Sequence, residues 1–163
     1  MTTTSRRIAL IGVGNDFRHD DAIGWVVVER LRTRTLPPGT RLLTCDADPG
    51  RLIGCWEDAD LAVVVDAAHA HPGHPGRVHR LELGAHEVAH APAASSHGLG
   101  LGEAVELARV LGRLPGRLVI YAVEGADSSL GRGLSPAVAG VVESLARRVE
   151  DEITRHCEAT ASG

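Results

Sequence analysis

Three short apolar runs, at 8–13, 61–65 and 118–123, constrain this chain more than any other feature. The run at 8–13 is continuous rather than alternating, and a strand can be apolar on consecutive residues only when both of its faces are covered. Stretches with helical spacing lie between the runs. Asp20-Asp21 precede Ile23, Val26, Val27 and Leu31, which recur at intervals of three and four. Asp48-Pro49-Gly50 opens a short helix toward Trp56, His97 opens a stretch carrying Leu101, Val105, Ala108 and Leu111, and Ser135-Pro136 starts a last helix running through Val149. Ser135 is the expected N-cap there, with Pro136 at the first helical position. A second strand is expected at 41–45, and a half-buried strand at 78–83, near an edge.

Strands alternating with helices imply a single-domain three-layer α/β/α sandwich around a mostly parallel or mixed sheet. The 163 residues suit one domain, with a core spanning about 7–157 and frayed termini. Only four aromatic residues are present, Phe17, Trp25, Trp56 and Tyr121, so that core must be aliphatic.

Charge narrows the function. Seventeen basic against twenty-one acidic residues give a formal charge of −4. With no basic stripe and few stacking aromatics, a nucleic-acid surface is not expected. No apolar run approaches the ~18 residues that span a bilayer, so no integral membrane segment is expected either. Three cysteines, Cys45, Cys55 and Cys157, without C-x-x-C spacing, argue against a disulfide framework and fit a reducing cytoplasm. Cys45 and Cys55 read as small core residues.

In a doubly wound sheet the functional crevice lies beyond the carboxyl ends of the strands. Three chemistry-bearing residues stand there: Asp21 after the first strand, Asp66 closing the run at 61–65, and His97 at a helix start. Two carboxylates and an imidazole are a donor set suited to nickel or zinc, with positions left for water or substrate. Each has a plainer reading: an acid capping its helix, an aspartate ending a strand, a polar helix start. Gly12-Val13-Gly14 lacks the third glycine of a dinucleotide fingerprint, since position 17 is Phe17, and no Walker A, H-E-x-x-H or G-x-S-x-G motif is present. The His-rich stretch at 69–79 reads as a solvated loop, because its proline and glycine content leaves ligands poorly organised.

Gly12-Val13-Gly14-Asn15, Asp20-Asp21-Ala22-Ile23-Gly24, Val64-Val65-Asp66-Ala67 and Ser96-His97-Gly98-Leu99-Gly100 follow one another in an order that resembles the hydrogenase maturation proteases. Val123-Glu124-Gly125-Ala126-Asp127 and Gly133-Leu134-Ser135-Pro136 resemble that family's last strand and helix, so the likeness runs from Ile8 to about Val149. The resemblance implies an endopeptidase that removes the C-terminal extension of a nickel-iron hydrogenase large-subunit precursor after nickel insertion. It further implies that Asp21, Asp66 and His97 are the catalytic and metal-contacting residues, with Asn15 a substrate contact. Nickel would arrive with the substrate, zinc or another divalent ion being a possible surrogate. The family's first-motif acid is often glutamate, and Asp21 is one methylene shorter. Competing expectations are a non-enzymatic nickel-handling chaperone for hydrogenase maturation, an unrelated nucleotide-binding α/β domain using residues 12–15, and a peptidase of the spore-protein protease type.

Overall fold

The computed structural model describes residues 6–84 and 99–162. Strand β1 (Ile8–Val13) leads through a 3-10 turn (His19–Ala22) into helix α1 (Ile23–Arg32), and β2 (Thr40–Cys45) leads into α2 (Pro49–Trp56). Strands β3 (Leu61–Ala68) and β4 (Val78–Gly84) follow, then α3 (Leu99–Leu111), β5 (Arg117–Glu124), α4 (Pro136–Ala139) and α5 (Val142–Ala161).

The five strands lie in the order β2-β1-β3-β5-β4, with all neighbours parallel except β4, which runs antiparallel to β5 at the edge. Every residue of β1 and β3 is buried, as a strand covered on both faces requires. Successive side chains alternate between two cores. Leu10, Val63, Val65 and Val119 pack with Val27 and Leu31 of α1 and Leu145 and Val149 of α5. Ala9, Ile11, Val64 and Ile120 pack on the other face with Leu52 and Trp56 of α2 and Leu101 and Ala108 of α3. The result is an α/β/α sandwich with a mixed, mostly parallel sheet. The β4 edge is charged, Arg80 and Arg117 bridging Glu82 with the buried Glu152 of α5, which discourages pairing with another chain.

Three expectations need correction. The last helix is divided: α4 ends at Ala139, and α5 begins at Val142 after a turn at 140–141. Gly140 sits at that division, where a residue of low helix propensity offers little resistance to a change of direction. Strand β3 continues through Ala68, because β5 pairs with it up to Glu124, so Asp66 lies inside the strand rather than closing it. Finally, neither acid of the Asp20-Asp21 pair caps α1 through its side chain.

Candidate active site

The chain goes from β1 outward to β2 on one side and then returns across to β3 on the other, so the topological switch point falls between β1 and β3. Beyond the carboxyl ends of these strands is a cavity of about 250 Å³ lined by Gly14, Asn15, Arg18, Asp21, Asp46, Asp66 and His69, among others. Asp21 and Asp66, 45 positions apart in the chain, therefore share one space.

Local backbone chemistry sets Asp21 in place. Gly14 has φ +145°, and a side chain there would collide with the Asp21 main chain, so only glycine lets the turn close against the acid. The Gly14 N–H donates to the Cys45 carbonyl at 3.0 Å, and the Asn15 N–H donates to the Asp21 carbonyl at 3.3 Å. Asn15 Oδ1 accepts the Phe17 N–H at 2.9 Å, which folds the cavity rim into a tight turn.

The two adjacent acids have separate tasks. Asp20 is 1% exposed and takes no part in the cavity. Its Oδ2 accepts the N–H groups of Ala126 and Asp127 and the Ser135 hydroxyl, and its Oδ1 accepts the Ser135 N–H, all between 2.7 and 3.0 Å. Burial by itself would raise its pKa, but these donors outweigh burial and hold the carboxyl below its usual range. Asp20 thus fastens the segment after β5 to the segment after β1. Ser135 occupies the N-cap position of α4, yet its hydroxyl serves Asp20 instead of capping that helix.

Asp21 and Asp66 are held in the opposite condition. Burial raises the pKa of Asp21, with the charges of His69 and Arg18 and the Asn15 amide pulling only partly back. Asp66 is 5% exposed, and burial, helped by the negative charge of Asp21, pushes its carboxyl up to about 7 despite the hydrogen bond that the Ala67 N–H donates to Oδ1 at 2.8 Å. Two carboxylates that each resist ionisation, with the charge of Asp21 disfavouring that of Asp66, form a site that a cation would relieve. Among the described residues no three side chains are arranged to hold a metal ion. The third donor expected from the sequence, His97, lies outside the described residues.

The stretch at 69–79 is largely exposed, as its composition implies, and it is also anchored. His69 lines the cavity beside the two acids, and the rest of the loop is pinned. Glu124, 3% exposed at the end of β5, accepts the His74 N–H at 3.1 Å and meets His79 Nε2 at 2.8 Å. Its main chain accepts the Gly76 N–H and donates to the Arg77 carbonyl. His69 is only three residues beyond Asp66, a spacing that could have signalled it. Asp46, the next residue after β2, could have been found by applying the strand-end rule to that strand as well.

A model of the hydrogenase maturation protease family matches residues 26–152. The chain belongs to that family. It is a peptidase, and the non-enzymatic and nucleotide-binding readings give way to that membership. The matched span contains Asp66 and the His97 position, while Asp21 lies just before it. The hydrogenase 2 maturation protease of Escherichia coli K12 is 28% identical over 144 residues, covering 88% of each chain. The hydrogenase maturating endopeptidase HybD from E. coli superposes with a TM-score of 0.77 at 26% identity, over 92% of this chain and 93% of its own. The maturation protease HycI from Thermococcus kodakarensis KOD1 gives 0.66 at 26%, over 93% and 95%.

Proposed function

We propose that this maturation protease removes the C-terminal extension of a nickel-iron hydrogenase large-subunit precursor once nickel has been inserted, using Asp21, Asp66 and His97 to recognise the nickel that the substrate carries. The observation behind this reading is the pairing of Asp21 and Asp66 in one cavity, both with raised affinity for protons and hence a standing deficit of positive charge. A nickel-loaded precursor supplies that charge, and an empty precursor does not. The donor set fits a borderline divalent ion, and zinc is a plausible surrogate in vitro. Carried by the substrate, such an ion would supply a Lewis acid able to polarise a neighbouring carbonyl or to lower the pKa of a water.

The chain's own residues supply the remainder. Asp66 Oδ1 is fixed by the Ala67 N–H, which leaves Oδ2 to address the cavity or to hold a proton at neutral pH. With Asn15 Oδ1 engaged by Phe17, the side-chain NH2 of Asn15 is available to donate to a peptide carbonyl of the tail. Arg18 adds a positive charge at the cavity for the same tail. No helix among the described residues is long and apolar enough to cross a membrane.

The test is incubation with nickel-loaded and nickel-free precursor followed by intact mass measurement. Shortening of the nickel-loaded form alone, lost in Asp66→Ala and His97→Ala, is the expected result. Full processing by either variant would overturn the site assignment, and equal cleavage of both precursors would overturn nickel recognition.

A further inference from the structure

We propose that the free edge of β2 receives the C-terminal extension of the precursor as an added antiparallel strand, leading away from the scissile bond. This inference rests on the proteolytic reading above and specifies how that substrate is held. Strand β2 is an outer strand of the sheet, with β1 as its single neighbour. None of its six residues is fully buried, in contrast to every residue of β1 and β3.

Register decides which of its main-chain groups are engaged. The Ile8 N–H donates to the Gly39 carbonyl at 3.1 Å and the Gly14 N–H to the Cys45 carbonyl at 3.0 Å, at the two ends of a parallel ladder that sets Ile8 opposite Thr40 and Val13 opposite Cys45. The odd-numbered residues of β2 therefore turn their N–H and C=O groups toward β1, and the even-numbered ones turn theirs outward. The Thr40 N–H bends back to the Pro37 carbonyl at 3.3 Å. The N–H and C=O groups of Leu42 and Thr44 meet no partner among the described residues. An extended row of unpaired donors and acceptors is a template for another strand. At the opposite edge of the sheet the ionic cluster on β4 discourages such pairing. Strand β2 contains no proline and one charged residue, Arg41, whose guanidinium is drawn toward α2, Nη2 donating to the Cys55 carbonyl at 3.4 Å.

The position of this edge names its occupant. Strand β2 ends at Cys45, and the next two residues, Asp46 and Ala47, line the cavity that holds Asp21 and Asp66. A scissile bond in that cavity leaves the extension, which lies on its C-terminal side, at the cavity end of β2. From there the edge runs back toward Thr40, so an extension that follows it travels against the direction of β2. In an antiparallel ladder, a residue in a bonded pair exchanges two hydrogen bonds with one partner. Leu42 and Thr44 each present both groups, so they pair with two extension residues that have one residue between them. About six extended residues, roughly 20 Å, cover the strand.

Amide exchange followed by NMR in full-length Asp66→Asn protein mixed with nickel-loaded precursor tests the pairing. Exchange at Leu42 and Thr44 should slow about tenfold or more, while residues 41, 43 and 45, already bonded to β1, change little. With wild-type enzyme, proline scanned through the extension should lower kcat/KM about tenfold at the two positions facing Leu42 and Thr44, and have little effect at the position between them, whose N–H points away. Thr44→Pro removes an outward N–H and leaves the β1 ladder intact, and it should raise KM about tenfold with kcat little changed. A precursor that binds without slowing exchange at 42 and 44, or a proline scan without that alternation, would overturn the proposal. Slowed exchange that grows with protein concentration in the absence of precursor would give the edge to a second copy of the chain and overturn it as well. Slowed exchange in a precursor complex that the wild-type enzyme never cleaves would sustain the pairing and overturn the proteolytic reading instead.

Discussion

Two neighbouring aspartates at 20 and 21 show how little residue type alone decides. Asp20 binds four donors and is stabilised as an anion, so its replacement by Ala strands the N–H groups of Ala126, Asp127 and Ser135. With each buried unsatisfied donor costing about 1–3 kcal/mol, urea unfolding of Asp20→Ala should show a loss of about 3 kcal/mol or more. Because the native pKa is depressed, Asp20 stabilises the fold above its unfolded pKa, and that contribution disappears as acid protonates the native carboxyl. Asp66 has the reverse sign. Its native carboxyl holds a proton up to about pH 7, whereas an unfolded aspartate releases it near its ordinary value of 3.8, so stability declines as pH rises through that window and is flat above it. Asp66→Asn should therefore raise stability at pH 8 by about 2–4 kcal/mol, with little or no gain at pH 4, while processing is lost. Melting curves at the two pH values check this. An Asp66→Asn protein no more stable than wild type at pH 8 would contradict the electrostatic account of the cavity.

At the scale of elements, the connection after β3 carries His69 to the cavity and is secured at its far end by Glu124. Side-chain and main-chain atoms of one buried residue hold His74, Gly76, Arg77 and His79, so this connection has a built anchor although its composition is that of a solvated loop. Glu124→Ala leaves the main-chain bonds and removes the side-chain ones. Hydrogen exchange at His74 should then accelerate roughly tenfold or more, with strand amides of β3 and β5 unchanged. If His69 helps hold the substrate tail, KM for precursor should rise with that loosening while the pH profile stays put. The splitting of the last helix at 140–141 is an element-scale effect of the same kind. Proline and serine marked the start of α4 correctly, but the spacing of apolar residues did not reveal a turn that the packing of Val138 and Val142 on the sheet imposes.

For the whole molecule, two cores share one sheet, and stability and chemistry are separable. Leu145 is fully buried between α5 and the sheet, away from the cavity. Leu145→Ala should cost about 2–5 kcal/mol in denaturant unfolding, and it should leave the processing of nickel-loaded precursor unchanged below its lowered melting temperature. The cavity itself is a consequence of strand order. Because β1 sits between β2 and β3, the chain leaves β1 toward one edge of the sheet and β3 toward the other, and a space opens at their carboxyl ends.

Local chemistry in the sequence determined much of this protein. Unbroken apolar runs required strands covered on both faces, Asp48-Pro49 started α2 with the Asp48 side chain capping the Arg51 N–H, and the order of four motifs carried the family. These features depend on neighbours a few residues away, which is what a sequence displays directly. Tertiary structure alone decided which member of the Asp20-Asp21 pair faces the cavity, why Ser135 abandons its helix for Asp20, and that His69 stands beside Asp66. Each of those outcomes depends on burial and on donors brought from distant segments, and a carboxylate acquires its chemistry from that surrounding field rather than from its place in the chain.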